Sequence, residues 1–268
     1  MSQSLIMSLS ALAALLPAAF LGRRHEPARD GIFWAVGIVA LIGPATWVAT
    51  SQASIWHTDI ASAIWVTIAA TVALFLLTAA LSQEAWRLAA MLMPLMLLLG
   101  LMATAWGGHA GTGTMIADPS PWISIHIIGS VVTYALVTIA AVAALAAIFR
   151  ERALKTKQPT TMTRSLPSVA ACDALMVRLL MFSEAVLCVG MASGMALSYS
   201  ASGSLLNLDH KTILSLTAFV LIAALLAAHY FTGLRGRKAA RLAMAAYLLL
   251  TLGYPGVKFV SEIILGRL

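Results

Sequence analysis

Charge is what this sequence has least of. Only 10% of its 268 residues are charged and 61% are apolar, whereas a soluble domain carries about 25% charged residues. With a mean hydropathy of +0.93, most of the surface must face lipid, which excludes an ordinary soluble domain. Cysteine is scarce as well. Cys172 and Cys188 form no CxxC, so thioredoxin-like chemistry and a thiolate metal site are not indicated. Both read as packing residues, since free Cys behaves as a small hydrophobe. There is no P-loop, GxSxG, HExxH or paired-carboxylate motif. Nothing points to a catalytic nucleophile or general base, and the chain is not expected to be an enzyme. Strand-like alternation is also missing.

What is present is a series of long apolar runs. A helix needs about 20 apolar residues to cross the ~30 Å hydrocarbon core. Runs of that order lie at 3–21, 32–50, 60–82, 88–106, 123–149, 178–199, 212–232 and 240–262. Helices are the spans they imply, because backbone polar groups must be satisfied within the lipid. The expected fold is all-α, a polytopic integral membrane bundle of about eight transmembrane helices. The first run has no basic region before it and no cleavage-type site, so it is expected to be retained.

The formal charge of +7 would suit nucleic acid, but the basic residues sit in short loops. Fourteen of the 17 fall on one side of the inferred topology, leaving Lys211, Lys258 and Arg267 opposite. Positive loops face the cytoplasm, so both termini are expected outside, in a bacterial inner membrane. The expected partner is membrane lipid, not nucleic acid. Residues 150–177, with the polar and Pro-broken stretch KTKQPTTMTRSLP, read as a flexible link between a front portion (1–149) and a back portion (178–268).

Six histidines are the best candidates for chemistry, because neutral imidazole binds haem iron and transition metals. His57, His109, His126 and His210 fall on the outer side. His25 lies in the first inner loop, and His229 near the inner end of the seventh run. His126 stands about one turn into the fifth run, in SPWISIHIIGSVVTY. Residues four apart share a helix face, which aligns Trp122, His126 and Ser130, with Gly129 and Thr133 beside them. Two readings fit. His126 is a metal ligand with room for a flat macrocycle, or Trp122 is an interfacial anchor and the His bonds a neighbouring helix. His229, inside an apolar run, is functional by default or simply interfacial. The two cannot share one iron, since they lie at opposite ends of a ~30 Å core. The outer His residues with Asp59, Asp118 and Asp209 would supply donors for a divalent metal. Glu184 is the one deep carboxylate, a proton or counter-ion candidate or a snorkelling side chain.

Two stretches resemble the cytochrome c assembly protein family, the CcsA/CcmC/CcmF superfamily, nearest its YpjD-like branch. SPWISIHIIGSVVTYA is similar to the family's P-x-W-x-x-H-I-x-x-S-x-x-x-Y-A helix. DHKTILSLTAFVLIAALLAAHYFTGLRGRK, continued to YPGVKF, is similar to its last two spans. The resemblance implies a haem cofactor. His126 matches the family's outer axial ligand and His229 its membrane-embedded ligand, with Trp122 beside the porphyrin. It also implies a role in cytochrome c maturation alongside other maturation proteins, haem being presented for attachment to CXXCH thiols. Arg235, Arg237 and Lys238 would attract haem propionates, or simply mark the inner face. The sequence departs from the family in two segments. The tryptophan-rich WGxxWxWDPKE motif is replaced by SGSLLNLDHKTI, where only Asp209 and Lys211 match. The second outer His has no counterpart in YPGVKFVSEIILGRL, and a loop His such as His210 or His57 would have to take its place. A non-haem scaffold for other membrane proteins and a divalent-metal binder remain the alternatives.

Overall fold

A computed structural model describes residues 3–24, 28–52, 56–57, 59–107, 115–116, 121–158, 160–204 and 209–256. The long helices are α1 (Gln3–Ala19), α2 (Gly31–Ser51), α3 (Ile60–Leu81), α4 (Ala89–Trp106), α5 (Pro121–Thr156), α7 (Val169–Ser202), α8 (His210–Thr232) and α9 (Arg237–Thr251), with a short α6 (Thr161–Ser165) between α5 and α7. Among the described residues the only sheet is a two-residue antiparallel pair, Trp56–His57 against Met115–Ile116. The protein is an all-α polytopic membrane bundle. Six of its helices are long and apolar enough to cross a bilayer. α1 and α9, at 17 and 15 residues, are shorter.

Helix starts follow local chemistry. Asp30, Asp59, Thr160, Ser168 and Asp209 each accept a hydrogen bond from the backbone N–H three residues on, which satisfies one of the orphan donors of a helix N-terminus. Pro17, Pro44 and Pro94 lie inside helices, where neighbouring helices make such breaks tolerable.

The alanine-rich middle of α5, residues 135–147, is almost wholly buried. Small side chains let α7, α9 and α3 approach it closely, and α5 against α7 is the most extensive contact in the molecule. Gly129 of α5 faces the backbone of Gly190 on α7, where an added Cβ would lie 3.6 Å from the Gly190 Cα. α8, by contrast, leaves Val220, Tyr230 and Phe231 exposed, as a lipid-facing helix does.

The segment expected to be a flexible link is largely helix. α5 continues to Thr156 and α7 begins at Val169, so only short turns and α6 separate them. Glu151, Arg152, Ala153, Leu154 and Lys155 are good helix formers, and leaving the lipid does not oblige a helix to end. At the other extreme, the α-helix in the last apolar run ends at Thr251 among the described residues. The chain then loosens into a π-turn over Leu252–Gly256, where Pro255 brings no N–H to the ladder.

The basic end is pinned by ion pairs. Glu151 on α5 meets both Lys155 (2.6 Å) and Arg237 of α9 (3.4 Å). The Gly236 N–H donates to Asp173 of α7 at 3.0 Å. Arg24 grips Asp30 through two parallel bonds of 3.0 and 2.9 Å. That guanidinium, followed by the Phe33 N–H, holds the Asp30 carboxyl well below the usual carboxylate range. A carboxyl depressed on folding adds stability that is present above its unfolded pKa of about 3.9 and disappears as pH falls toward the folded value. The melting temperature of the wild type should therefore exceed that of Asp30→Asn by a constant margin above about pH 5 and by a shrinking one below about pH 4. A margin independent of pH would rule out this linkage.

Candidate functional site

His126, Ser130 and Tyr134 fall at i, i+4 and i+8 on α5, one stripe of a helix. All three line one cavity of about 170 Å³ together with Thr67 of α3, Leu187, Gly190 and Met191 of α7, Lys211 and Ser215 of α8, and Leu250 and Gly253 at the end of α9. Thr67 and Tyr134 also line a second, larger and mostly apolar cavity of about 400 Å³. It is walled by Ile60, Ile64, Leu99, Met102, Trp106 and Tyr247. The two therefore adjoin. The Tyr134 hydroxyl at the divide bonds Thr251 Oγ1 at 3.1 Å, and its ring packs 5.8 Å from that of Tyr247.

The imidazole of His126 is held from α7. Its Nδ1 lies 2.9 Å from the Gly190 carbonyl oxygen, with Ser193 Oγ at 3.4 Å. Ser193 itself donates to the same carbonyl at 2.8 Å. A carbonyl only accepts, so Nδ1 carries the proton, and in the neutral ring Nε2 keeps its lone pair. This is the arrangement in which a backbone partner on one nitrogen fixes the tautomer for metal binding by the other. Among the described residues Nε2 has no partner. Gly194 makes the space, because a Cβ there would stand 3.1 Å from His126 Cε1 and 3.3 Å from Nδ1. Of the two sequence readings of His126, the bond to a neighbouring helix is the one observed, and the other ring nitrogen has no partner among the described residues.

The other candidates are placed apart. Trp122 is 54% exposed and does not line the cavity. His210 is exposed at the start of α8, although its neighbour Lys211 does line it. His229 lies eighteen residues beyond Lys211 on α8, about 27 Å away at 1.5 Å per residue. Its Nδ1 bonds the Leu234 carbonyl at 3.0 Å, and its ring meets Tyr230 edge-on at 5.3 Å. It closes the turn in which Gly233 takes the left-handed φ of +68° that ends the helix. Arg237 is occupied by Glu151, whereas Arg235 and Lys238 are not buried. Both carboxyl oxygens of Glu184 are buried without a partner among the described residues.

The outer metal set is not assembled among the described residues. They contain no group of three His, Cys, Asp or Glu able to hold an ion. Asp59 and Asp209 are engaged as helix caps, and the Thr212 backbone N–H holds the Asp209 carboxyl below its usual range. His25, His109 and Asp118 lie outside the described residues, as does the side chain of His57.

The contribution of α7 is not apparent from the histidine pattern. The spacing of Gly190, Ser193 and Gly194 at i, i+3 and i+4 is a small-residue helix-contact pattern, and it is the sequence signal that marks this face.

These features define a multi-pass membrane protein with a preset imidazole facing a cavity between five helical segments. The sequence profile of the "Cytochrome C assembly protein" family matches residues 33–265, and the chain belongs to that family. A relative from Azospirillum brasilense, described as an uncharacterized 28.8 kDa protein in nifR3-like 5'region, is 48% identical over 271 residues, covering 99% of this chain and 100% of the relative. The inner membrane protein YpjD of Escherichia coli (strain K12) is 28% identical over 147 residues, 55% of each chain.

Proposed function

We propose that this protein binds haem at the outer face of a bacterial inner membrane, in support of cytochrome c assembly. In this reading its basic loops lie in the cytoplasm. The observation that carries the proposal is the His126 imidazole, which lines a cavity while its Nδ1 is tied to Gly190 and its Nε2 is left free. The surroundings fit an iron porphyrin. There is one nitrogen donor for the metal, an adjoining apolar cavity for the ring, and a polar wall that includes Lys211 and Ser215. Bound haem would supply an iron for axial ligation and vinyl groups for thioether formation with a cytochrome precursor. The protein's own part is to hold and orient it. His229, with the same Nδ1-to-carbonyl arrangement at the basic end, is a candidate second ligand station in a transfer path. Lipid and other maturation proteins are the partners this role requires.

The test is direct. Full-length protein purified in mild detergent and supplied with haem should give a sharp Soret band and stoichiometric iron. A colourless protein holding stoichiometric zinc or copper would favour a divalent-metal role instead. A protein that takes up neither would act as a scaffold, the reading that the segment SGSLLNLDHKTI, with no tryptophan, favours.

A further inference from the structure

We propose that a recess at the basic end of the bundle binds one anionic phospholipid, taking an acyl chain along α4 and the phosphate on the guanidinium groups at its rim.

The recess has a volume of about 800 Å³ and is walled by Ala19 and Phe20 at the end of α1, by Met91, Pro94 and Leu97 of α4 and by Met162 of α6. All six side chains are apolar and none of them is buried, so the recess faces the lipid. Its depth is informative. Leu97 lies ten residues beyond Arg87, about 15 Å at 1.5 Å per residue. That is half of a ~30 Å hydrocarbon core, the reach of one acyl chain from head group to bilayer midplane.

The rim is polar where head groups lie. A notch lined by Arg24, Arg87 and Ser165 adjoins the recess, since the two share Gly22 and Ala90. At about 20 Å³ the notch has room for little more than a water, so a phosphate would sit at its mouth. Arg24 is committed to Asp30, but Arg87 is held loosely. Its ion pair with Glu84 is 3.7 Å long, and its guanidinium stands 5.5 Å from the centre of the Trp86 ring. Arg164, between Met162 and Ser165 on α6, is exposed and forms no ion pair among the described residues. Guanidinium suits phosphate, and an indole beside it is a membrane-interface anchor.

Topology explains positive charge at this end, which gathers 14 of the 17 basic residues. It does not explain an apolar recess that starts beside two poorly neutralised guanidinium groups and runs one leaflet deep. The same charge selects the head group. A zwitterionic lipid brings a cation of its own toward Arg87 and Arg164, and an anionic lipid does not.

The test is a titration of the full chain in mild detergent with phosphatidylglycerol and with phosphatidylcholine of the same acyl chains, bound lipid being counted by native mass spectrometry. The wild type should hold one phosphatidylglycerol about tenfold more tightly than phosphatidylcholine. Changing Arg87→Gln and Arg164→Gln together should erase that preference and leave phosphatidylcholine uptake unchanged. Leu97→Trp, which fills the deep end of the recess, should weaken both lipids at an unaltered melting temperature. Glycerol phosphate, a head group without chains, should not compete. Equal uptake of the two lipids by the wild type overturns the proposal, and so does a preference that survives the double change. Full phosphatidylglycerol binding in Leu97→Trp, or displacement by glycerol phosphate, would remove the recess from the site and overturn it as well.

Discussion

Replacing His126 with alanine should lower haem affinity by at least about a hundredfold, since even the groups that merely orient a metal-bound His are worth 10–100-fold. The Soret maximum should revert to that of haem in empty detergent micelles. Gly194→Leu should give nearly the same result with the imidazole still present. Even a single Cβ at that position approaches His126 Cε1 to 3.1 Å, and a branched side chain beyond it must push the ring off the Gly190 carbonyl. Ser193→Ala should be mild, because Gly190 keeps its bond to Nδ1 when the weaker partner at 3.4 Å is removed. His229→Ala should leave the spectrum of the outer site intact, given about 27 Å of helix between that residue and Lys211. A full Soret band in His126→Ala would sink the assignment of the ligand. A full band in Gly194→Leu would show that the ring does not need the position seen here.

Much of this architecture is written in hydropathy, because lipid exposure imposes long apolar runs on any helix that crosses. Each of the eight expected runs overlaps a helix among the described residues, six of them long and apolar enough to cross a bilayer, with α1 and α9 shorter. Hydropathy marks where a helix leaves the lipid and does not mark where it ends. For that reason it carries no sign that α5 extends to Thr156 or that α7 begins at Val169, and it runs on through Gly253 and Pro255 beyond the end of α9. The site divides in the same way. Spacing within one helix makes the His126–Ser130 face legible, and continuing that stripe inward reaches Tyr134. Extending it outward to Trp122 does not reach the cavity, because that residue sits in the exposed first turn. Gly129, which the sequence offers as space for a macrocycle, instead admits α7. Which residues of α7 and α8 share the cavity with His126 depends on the register between helices, and periodicity within a helix carries no record of that. Lys211 matches the family's motif in sequence, but only the fold brings it to the cavity.

Trp65→Ala should be the most destabilising single change in the front half of the molecule, at about 3 kcal/mol. Trp65 on α3 is fully buried. It stacks on Trp47 of α2 at 5.7 Å and 28°, and Trp47 in turn donates to Ser8 of α1 at 3.0 Å. Gly100 of α4 makes room for the far edge of the ring, where an added Cβ would lie 3.3 Å from Trp65 Cη2 and 3.0 Å from Leu12. The stacked pair of indoles therefore joins four helices. Within lipid the hydrophobic transfer term between helices is small, so the penalty comes from the dispersion attraction that the atoms around the new void forfeit. A value at the low end of the range for large-to-small changes is expected. Trp65→Phe should cost only about 1 kcal/mol, because the indole N–H has no partner among the described residues and removing a buried orphan donor offsets part of the packing deficit. Denaturant titration in detergent would measure both. The function should follow the packing. Ile64 and Thr67 lie beside Trp65 on α3 and line the cavities next to His126, so haem affinity should fall in Trp65→Ala and hold in Trp65→Phe. An alanine variant as stable as the wild type would mean that the four-helix junction does not depend on this ring.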